Sequence, residues 1–182
     1  MIIVEGPDNA GKTTLIHNHL LPLLTEHELK MTEGPGKSKG EIDERIRRYN
    51  KLKKVICDRH PTISETIYSL AFGRSLWVTL DHLHRTLSHA DFIIFCLPPD
   101  RLLIDEFDRN HVVNDTIDTD EHLALVRGNL VRLVEEYRRA YGAMKILDKR
   151  KVLLYDYTLH DEHWPELKKL ITHVTIQGKD YK

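Results

Sequence analysis

Short apolar runs alternate along the chain with longer stretches of helical spacing. The opening run, "MIIVEG", is continuously apolar up to Glu5, the pattern of a strand covered on both faces. From Lys12 to Leu24 the apolar positions Leu15, Ile16, Leu20, Leu23 and Leu24 predict a helix, with Pro22 working against its last turn. "LKMTEGPG" predicts a short strand running into a Gly/Pro turn. Glu41 to Lys53 predicts a highly charged helix, and "KKVICD" a third strand. Ser64 to Leu87 is helical in pattern with a break near Gly73, and "DFIIFCL" is a fourth strand stopped by Pro98 and Pro99. Leu102 to Asp120 is polar and weakly patterned. A long helix over His122 to Ala143, a fifth strand in "KVLLYDY" and a last helix over Trp164 to His173 complete the chain. Strand-to-helix alternation of this kind predicts βαβ units. The expected fold is α/β, with a five-stranded parallel sheet and helices on both faces. Ligands of such sheets bind at the carboxyl ends of the strands.

Length and composition narrow the class. A chain of 182 residues suits one domain over 1–182, with residues of about 102–120 as a lid segment. At 41% hydrophobic and 30% charged it can fill a core and stay dissolved. A net charge of −1 gives no general pull toward nucleic acid or an anionic membrane, although a local basic cleft stays open. No apolar run is long enough to span a bilayer, and "MIIVEG" lacks the basic start and cleavage site of a signal peptide, so a cytoplasmic location is expected. Cys57 and Cys96 fall in predicted core strands and are expected to be buried thiols. Of twelve histidines, the pairs His17/His19 and His82/His84 are two residues apart on predicted helices and face different ways, so no zinc site is expected. Trp77, Leu80, Leu83, His84 and Leu87 form an apolar helical stripe, expected to face the core, with a homodimer seam as the alternative.

Chemistry enters at "GPDNAGKTT". Gly6, Gly11, Lys12 and Thr13 match G-x-x-x-x-G-K-S/T, directly after a strand and directly before a helix. The glycines permit a tight turn whose amides, with those of Asn9, Ala10 and Thr14, reach a phosphate. The helix that follows points its positive end at the same anion. Lys12 can reach the β- and γ-phosphates, and the Thr13 hydroxyl can ligate Mg²⁺. The expectation is a three-layer P-loop NTPase fold that binds ATP with Mg²⁺. "VICDRH" puts Asp58 and Arg59 at the end of the third strand. A guanine-reading N-K-x-D is absent, and "VICDRH" carries one acid followed by arginine rather than two acids. Those features disfavour a GTPase switch and a motor ATPase, and leave a kinase of a small acceptor.

Taken together the residues resemble the thymidylate kinase family and, more broadly, the P-loop nucleoside and nucleotide kinases. "IIVEGPDNAGKTTL" is similar to that family's first strand and loop, "TEGPGKSKGEI" to its R-E-P-G-G segment, "DRHPTIS" to its D-R-Y/H-x-x-S motif, and "YSLAFGRSL" to its Y-Q-G-x-G-R-G stretch. "FIIFCLPPD" stands where the family has its fourth strand and L-D-x-P-P turn. The resemblance implies ATP-dependent phosphoryl transfer to a nucleoside monophosphate, with a deoxypyrimidine monophosphate as the first expectation. Lys12 would hold the donor, Thr13 and Asp58 would organise Mg²⁺, and Arg59 would bind the acceptor phosphate or the transferring group. It further implies a sugar hydroxyl on Asp8, a base stacked on Phe72 and read by Arg74, and Arg109 as lid arginine. Phe72 and Arg74 fit a core aromatic and an exposed helix arginine equally well. The chain departs from the family at Thr32, where an arginine is usual, and at Asn9, where Gly or Arg is usual. Arg45, Arg47 and Arg48 form a basic run of the kind that is mostly a solvated face, with one member available to touch the acceptor phosphate instead. A deoxynucleoside kinase, or a kinase of a hydroxyl on a modified base, free or in DNA, remains the alternative.

Overall fold

The computed structural model describes residues 1–34, 36–105, 107 and 120–177. Five strands form one parallel sheet: β1 (Ile2–Glu5), β2 (Glu28–Lys30), β3 (Val55–Asp58), β4 (Phe92–Cys96) and β5 (Val152–Tyr155), in the order β2-β3-β1-β4-β5. β1 is central, and its residues are buried throughout. That accounts for the unbroken apolar run, since both faces of the strand are covered by helices. The chain visits β2 and β3 on one side of β1, then β4 and β5 on the other. The reversal makes the carboxyl end of β1 the switch point where such sheets take ligands.

The helices fill the connections. A helical run over 12–23, α1, follows β1; Leu15–Leu20 is wound as a π-helix, between α-helical turns at Lys12–Thr14 and Leu21–Leu23. Pro22 supplies a cause: it has no amide to donate, and its ring opposes the carbonyl four residues back. The Leu21 amide accordingly reaches five residues back, to the Ile16 carbonyl, and the helix survives its proline. α2 (Lys39–Tyr49) is capped by Ser38, whose hydroxyl accepts from the Glu41 amide. The stretch over 64–87, expected to be helical with a break near Gly73, is two helices divided there, α3 (Pro61–Ala71) and α4 (Leu80–His89). Pro61 at the first turn, capped by His60, starts α3 earlier than the apolar spacing implied, and Gly73, with φ 64°, follows its end. Thr79 and His82 build a capping box that starts α4.

α5 (Asp100–Ile104) follows Pro99, then come α6 (Asp120–Gly128), α7 (Leu130–Leu147) and α8 (His160–Gln177). The helix expected over 122–143 is therefore divided at Asn129 and runs further, to Leu147. The stripe expected to face the core does so only in part: Leu87 is buried, Leu83 half-buried, and Leu80 and His84 are exposed. Trp77 joins a small separate cluster with Ile42, Ile46 and Val78. Both cysteines are buried in the sheet, as their strand positions implied. The segment expected as a lid from 102 begins as core, because Leu103 and Phe107 are buried; residues 106 and 108–119 lie outside the described residues. Among the described residues no helix is long and apolar enough to cross a membrane.

Ile3 lies at the centre of β1 with no exposed surface. Ile3→Ala is expected to lower stability by about 2–5 kcal/mol in urea denaturation. A loss well under 1 kcal/mol would contradict β1 as the centre of the core.

Candidate active site

The loop between β1 and α1 is shaped by close approaches. A Cβ on Gly6 would stand 2.5 Å from the Cys96 carbonyl oxygen, and one on Gly11, at φ 80°, 2.9 Å from the Tyr157 ring. Only glycine fits either place. Asn9 adopts the left-handed region at φ 62°, which asparagine tolerates better than most residues, and its amide nitrogen lies 3.5 Å from the Phe107 carbonyl. Ala10 is fully buried beneath the loop. Lys12 is buried as well, and its Nζ donates to the Pro7 carbonyl at 2.7 Å. The ammonium thus lies folded back across the loop it belongs to. Burial, then the neighbouring Arg59 charge, push its pKa down. Thr13 and Thr14 are exposed at the start of α1.

Asp58 and Arg59 arrive beside this loop because β3 pairs with β1 in a register that sets Asp58 against Val4. Asp58 is almost fully buried, and its Oδ1 has no hydrogen-bond partner among the described residues. Arg59 has φ 67°, and its amide donates to the Val4 carbonyl at 2.9 Å. Its guanidinium Nη2 approaches the Gly6 carbonyl at 3.4 Å and bonds Asp8. The Arg59 Nε is buried without a partner among the described residues. Under the guanidinium, at 5.5 Å, lies the Tyr68 ring.

Tyr68 begins an aromatic row. Its edge meets Phe72 at 5.4 Å, and the Arg74 guanidinium lies over Phe72 at 5.3 Å. The row runs from Arg59 over Tyr68 on α3 and past the helix end through Phe72 to the exposed Arg74. Phe72 and Arg74 therefore do adjoin Arg59, by way of a tyrosine that sequence reasoning passed over. The signal was present, since Tyr68 and Phe72 are four apart on a predicted helix. Of the basic run on α2, Arg45 and Arg48 bond Glu33, and Arg45 also bonds Glu41 and the Gly34 carbonyl. Lys30 joins Glu33 at 2.9 Å. These cations already have anions to hold. Arg109 lies outside the described residues.

Behind the pair stands Glu5, fully buried at the end of β1. Its Oε1 accepts from the His60 amide at 2.7 Å, and the Ser64 hydroxyl lies 3.2 and 3.3 Å from its two oxygens. Burial raises its pKa to about 7. His60 is fully buried too, accepts from the Thr62 amide through Nδ1, and is pushed down to about 3 by burial.

For Mg²⁺ the donor set fits. An unpaired buried carboxylate oxygen on Asp58 and a hydroxyl on Thr13 flank one loop, and hard oxygen ligands are what this ion takes.

No protein-family model matches the sequence, and no curated protein matches it. Among solved structures the chain is similar to the YorR protein of Bacillus subtilis, determined in complex with phosphorylated GDP. The TM-score is 0.66 at 16% identity, over 100% of this chain and 98% of that one. It also matches deoxyadenosine kinase from M. mycoides, determined with dCMP and a flexible dCDP, at a TM-score of 0.46 and 13% identity over 100% and 99% of the two chains. The likeness to the first establishes the fold: a three-layer P-loop architecture with a five-stranded parallel sheet.

Glu5 and His60 impose opposite pH dependences. Folded Glu5 keeps its proton up to about pH 7, whereas an unfolded glutamate loses it near about 4.3, so its contribution is full below that value and is lost as pH rises through 7. His60, at about 3 when folded and roughly 6.5 when unfolded, contributes fully above 6.5 and loses the contribution as pH falls. Between roughly pH 4.5 and 6.5 the two slopes oppose each other. Glu5→Gln removes one of them. Its stability relative to wild type is expected to fall as pH drops through that window, by up to about 1.4 kcal/mol per pH unit, in denaturant titrations at stepped pH. Parallel curves for the two proteins would contradict this assignment.

Proposed function

We propose that the chain transfers the γ-phosphoryl group of ATP to a nucleoside monophosphate, with a deoxypyrimidine monophosphate as the favoured acceptor. The observation that carries this reading is the meeting of the phosphate loop with the Asp58–Arg59 pair. One charge-bearing strand end stands against the loop, with a carboxylate oxygen and a guanidinium nitrogen both buried and unpartnered among the described residues. Buried polar atoms are costly to leave unmet, so a bound anion and a cation are their natural partners. The fold agrees, since the pair lies at the switch point of the sheet.

Phosphoryl transfer asks mainly for positioning and charge neutralisation. The loop amides and Lys12 grip the donor phosphates, which draws the Lys12 ammonium off the Pro7 carbonyl. Thr13 and Asp58 would hold Mg²⁺, which would supply charge neutralisation to the donor phosphates when bound. Arg59 releases Asp8 to grip an acceptor dianion and brings it in line with the γ-phosphorus. An acceptor phosphate oxygen forms the new P–O bond, the bond to the β–γ bridging oxygen breaks, and ADP leaves with that electron pair. At neutral pH a phosphate monoester is already largely dianionic, with a second pKa near about 6, so no general base is required. Tyr68, Phe72 and Arg74 form the wall along which the acceptor base lies.

One observation favours a second reading. The unpaired Asp58 Oδ1 is placed equally well to take a proton from a hydroxyl, as a deoxynucleoside kinase or a kinase acting on a modified base would need. Three variants decide. Lys12→Ala is expected to lower transfer by about 10²-fold or more while the fold persists, because one preorganised charge on the transferring group is lost. For a monophosphate acceptor, Asp58→Asn should weaken metal dependence and recover in part at high Mg²⁺ or with Mn²⁺, and Arg59→Ala should raise the acceptor KM strongly. A metal-insensitive loss in Asp58→Asn together with a harmless Arg59→Ala would select the hydroxyl acceptor. Wild-type turnover in folded Lys12→Ala would sink both readings.

A further inference from the structure

Glu5 is a buried carboxyl beside the reaction centre that the transfer steps do not use. The three residues before it, Ile2, Ile3 and Val4, are apolar and buried, and a residue filling core space at this position would be apolar too. A carboxyl with no exposed surface is costly unless it is hydrogen-bonded. Its hydrogen-bond partners among the described residues lie beyond the neighbouring strand, one in the turn after β3 and one in the first turns of α3: the His60 amide and the Ser64 hydroxyl.

The turn needs such a partner. Arg59 is a non-glycine residue held at φ 67°, a conformation that costs on the order of 1 kcal/mol and persists only where its surroundings enforce it. The Arg59 amide still pairs with β1, through the Val4 carbonyl. Alternation along a strand would aim the next amide, of His60, away from β1 toward β2, which has already ended at Lys30; past the left-handed Arg59 it donates to the Glu5 carboxyl. The Gly6 carbonyl is approached by the Arg59 guanidinium. Pro61 has no amide at all. The Glu5 side chain takes the place of the missing backbone acceptor and binds the start of α3 through Ser64.

We propose that Glu5 is a positioning residue: its bonds to the His60 amide and the Ser64 hydroxyl hold the turn over 58–60 in the strained form that presents Asp58 and Arg59 to the phosphate loop. This rests on the phosphoryl-transfer reading of that pair. Glu5 touches neither donor nor acceptor and acts only through the turn. Hydrogen bonding carries the role, so a glutamine should serve: its oxygen can accept from the His60 amide and its NH₂ can donate to the Ser64 hydroxyl.

The test compares Glu5→Ala, Glu5→Gln and Ser64→Ala with wild type. Three quantities are measured: thermal melting, ATP affinity by calorimetry with and without Mg²⁺, and the rate of transfer to the acceptor that wild type uses best. Glu5→Ala is expected to lower kcat about 10²-fold, while its ATP affinity without Mg²⁺ stays within about threefold. It should also lose the gain in ATP affinity that Mg²⁺ gives wild type. Glu5→Gln should restore both kcat and the Mg²⁺ gain. A merely structural glutamate would lower melting and all binding together, with no rescue by glutamine. A folded Glu5→Ala with wild-type kcat and wild-type Mg²⁺ gain overturns the proposal, as does a Glu5→Gln no better than Glu5→Ala. If Glu5→Ala does not fold, Ser64→Ala decides: a kcat about tenfold lower at unchanged ATP affinity supports the role, and an unchanged kcat overturns it. If wild type phosphorylates no acceptor, the transfer reading falls by itself. Glu5 is then judged on the Mg²⁺ gain alone, whose loss in Glu5→Ala supports positioning and whose retention overturns it.

Discussion

The parallel pairing of β1 with β3, in the register that sets Val4 against Asp58, decides where every charged group of the site stands. A strand's side chains alternate between faces, so a slip by one residue would send Asp58 to the opposite side of the sheet. In the observed register the two strands end together at the switch point. One then becomes the phosphate loop and the other becomes the Asp58–Arg59 turn. The loop glycines answer to the other side of the sheet. Gly6 is pressed against the Cys96 carbonyl of β4 and Gly11 against Tyr157 beyond β5, so the central strand's neighbours crowd the loop from the side away from β3.

Charge at the site is balanced within the chain. Lys12 leans on a carbonyl of its own loop, and Arg59 is paired with Asp8. Both cations are therefore held locally, and in the proposed reading a bound phosphate would take the place of those partners. Glu5, whose pKa is raised to about 7 by burial, adds less negative charge than an ordinary glutamate would. A second group of cations, Lys30, Arg45 and Arg48, gathers on Glu33 beyond β2. That carboxylate is held below its ordinary range, first by its bond to Lys30. Arg45 and Arg48 of α2 thus brace Glu33 and Gly34, and the Gly36 amide is tied to Glu65 on α3.

Much of the frame was legible in the sequence, and the reasons are physical. Strands buried on both faces leave unbroken apolar runs, so β1, β3, β4 and β5 stood out, and the phosphate loop carried its own strand-to-helix context. Helix boundaries were less legible. The start of α3 is set by Pro61 and a histidine cap, and the division between α6 and α7 at Asn129 follows Gly128, a glycine that the helical spacing on either side overrides. The exposed Leu80 shows that helical spacing alone does not tell which neighbour covers a stripe. Within the site, residue types named Lys12, Asp58 and Arg59. Tyr68 left a local signal in its spacing from Phe72, whereas the bonding of Glu5 to His60 joins residues far apart in the chain, which no local pattern encodes.

The central claim is that the loop and the Asp58–Arg59 pair together move a phosphoryl group between nucleotides. Incubation with γ-³²P-labelled ATP and Mg²⁺, across nucleosides, nucleoside monophosphates and short DNA, tests it most directly. The account predicts label in a nucleoside diphosphate, most strongly from a deoxypyrimidine monophosphate. Label appearing only as free phosphate, or only on nucleosides or DNA, would contradict it.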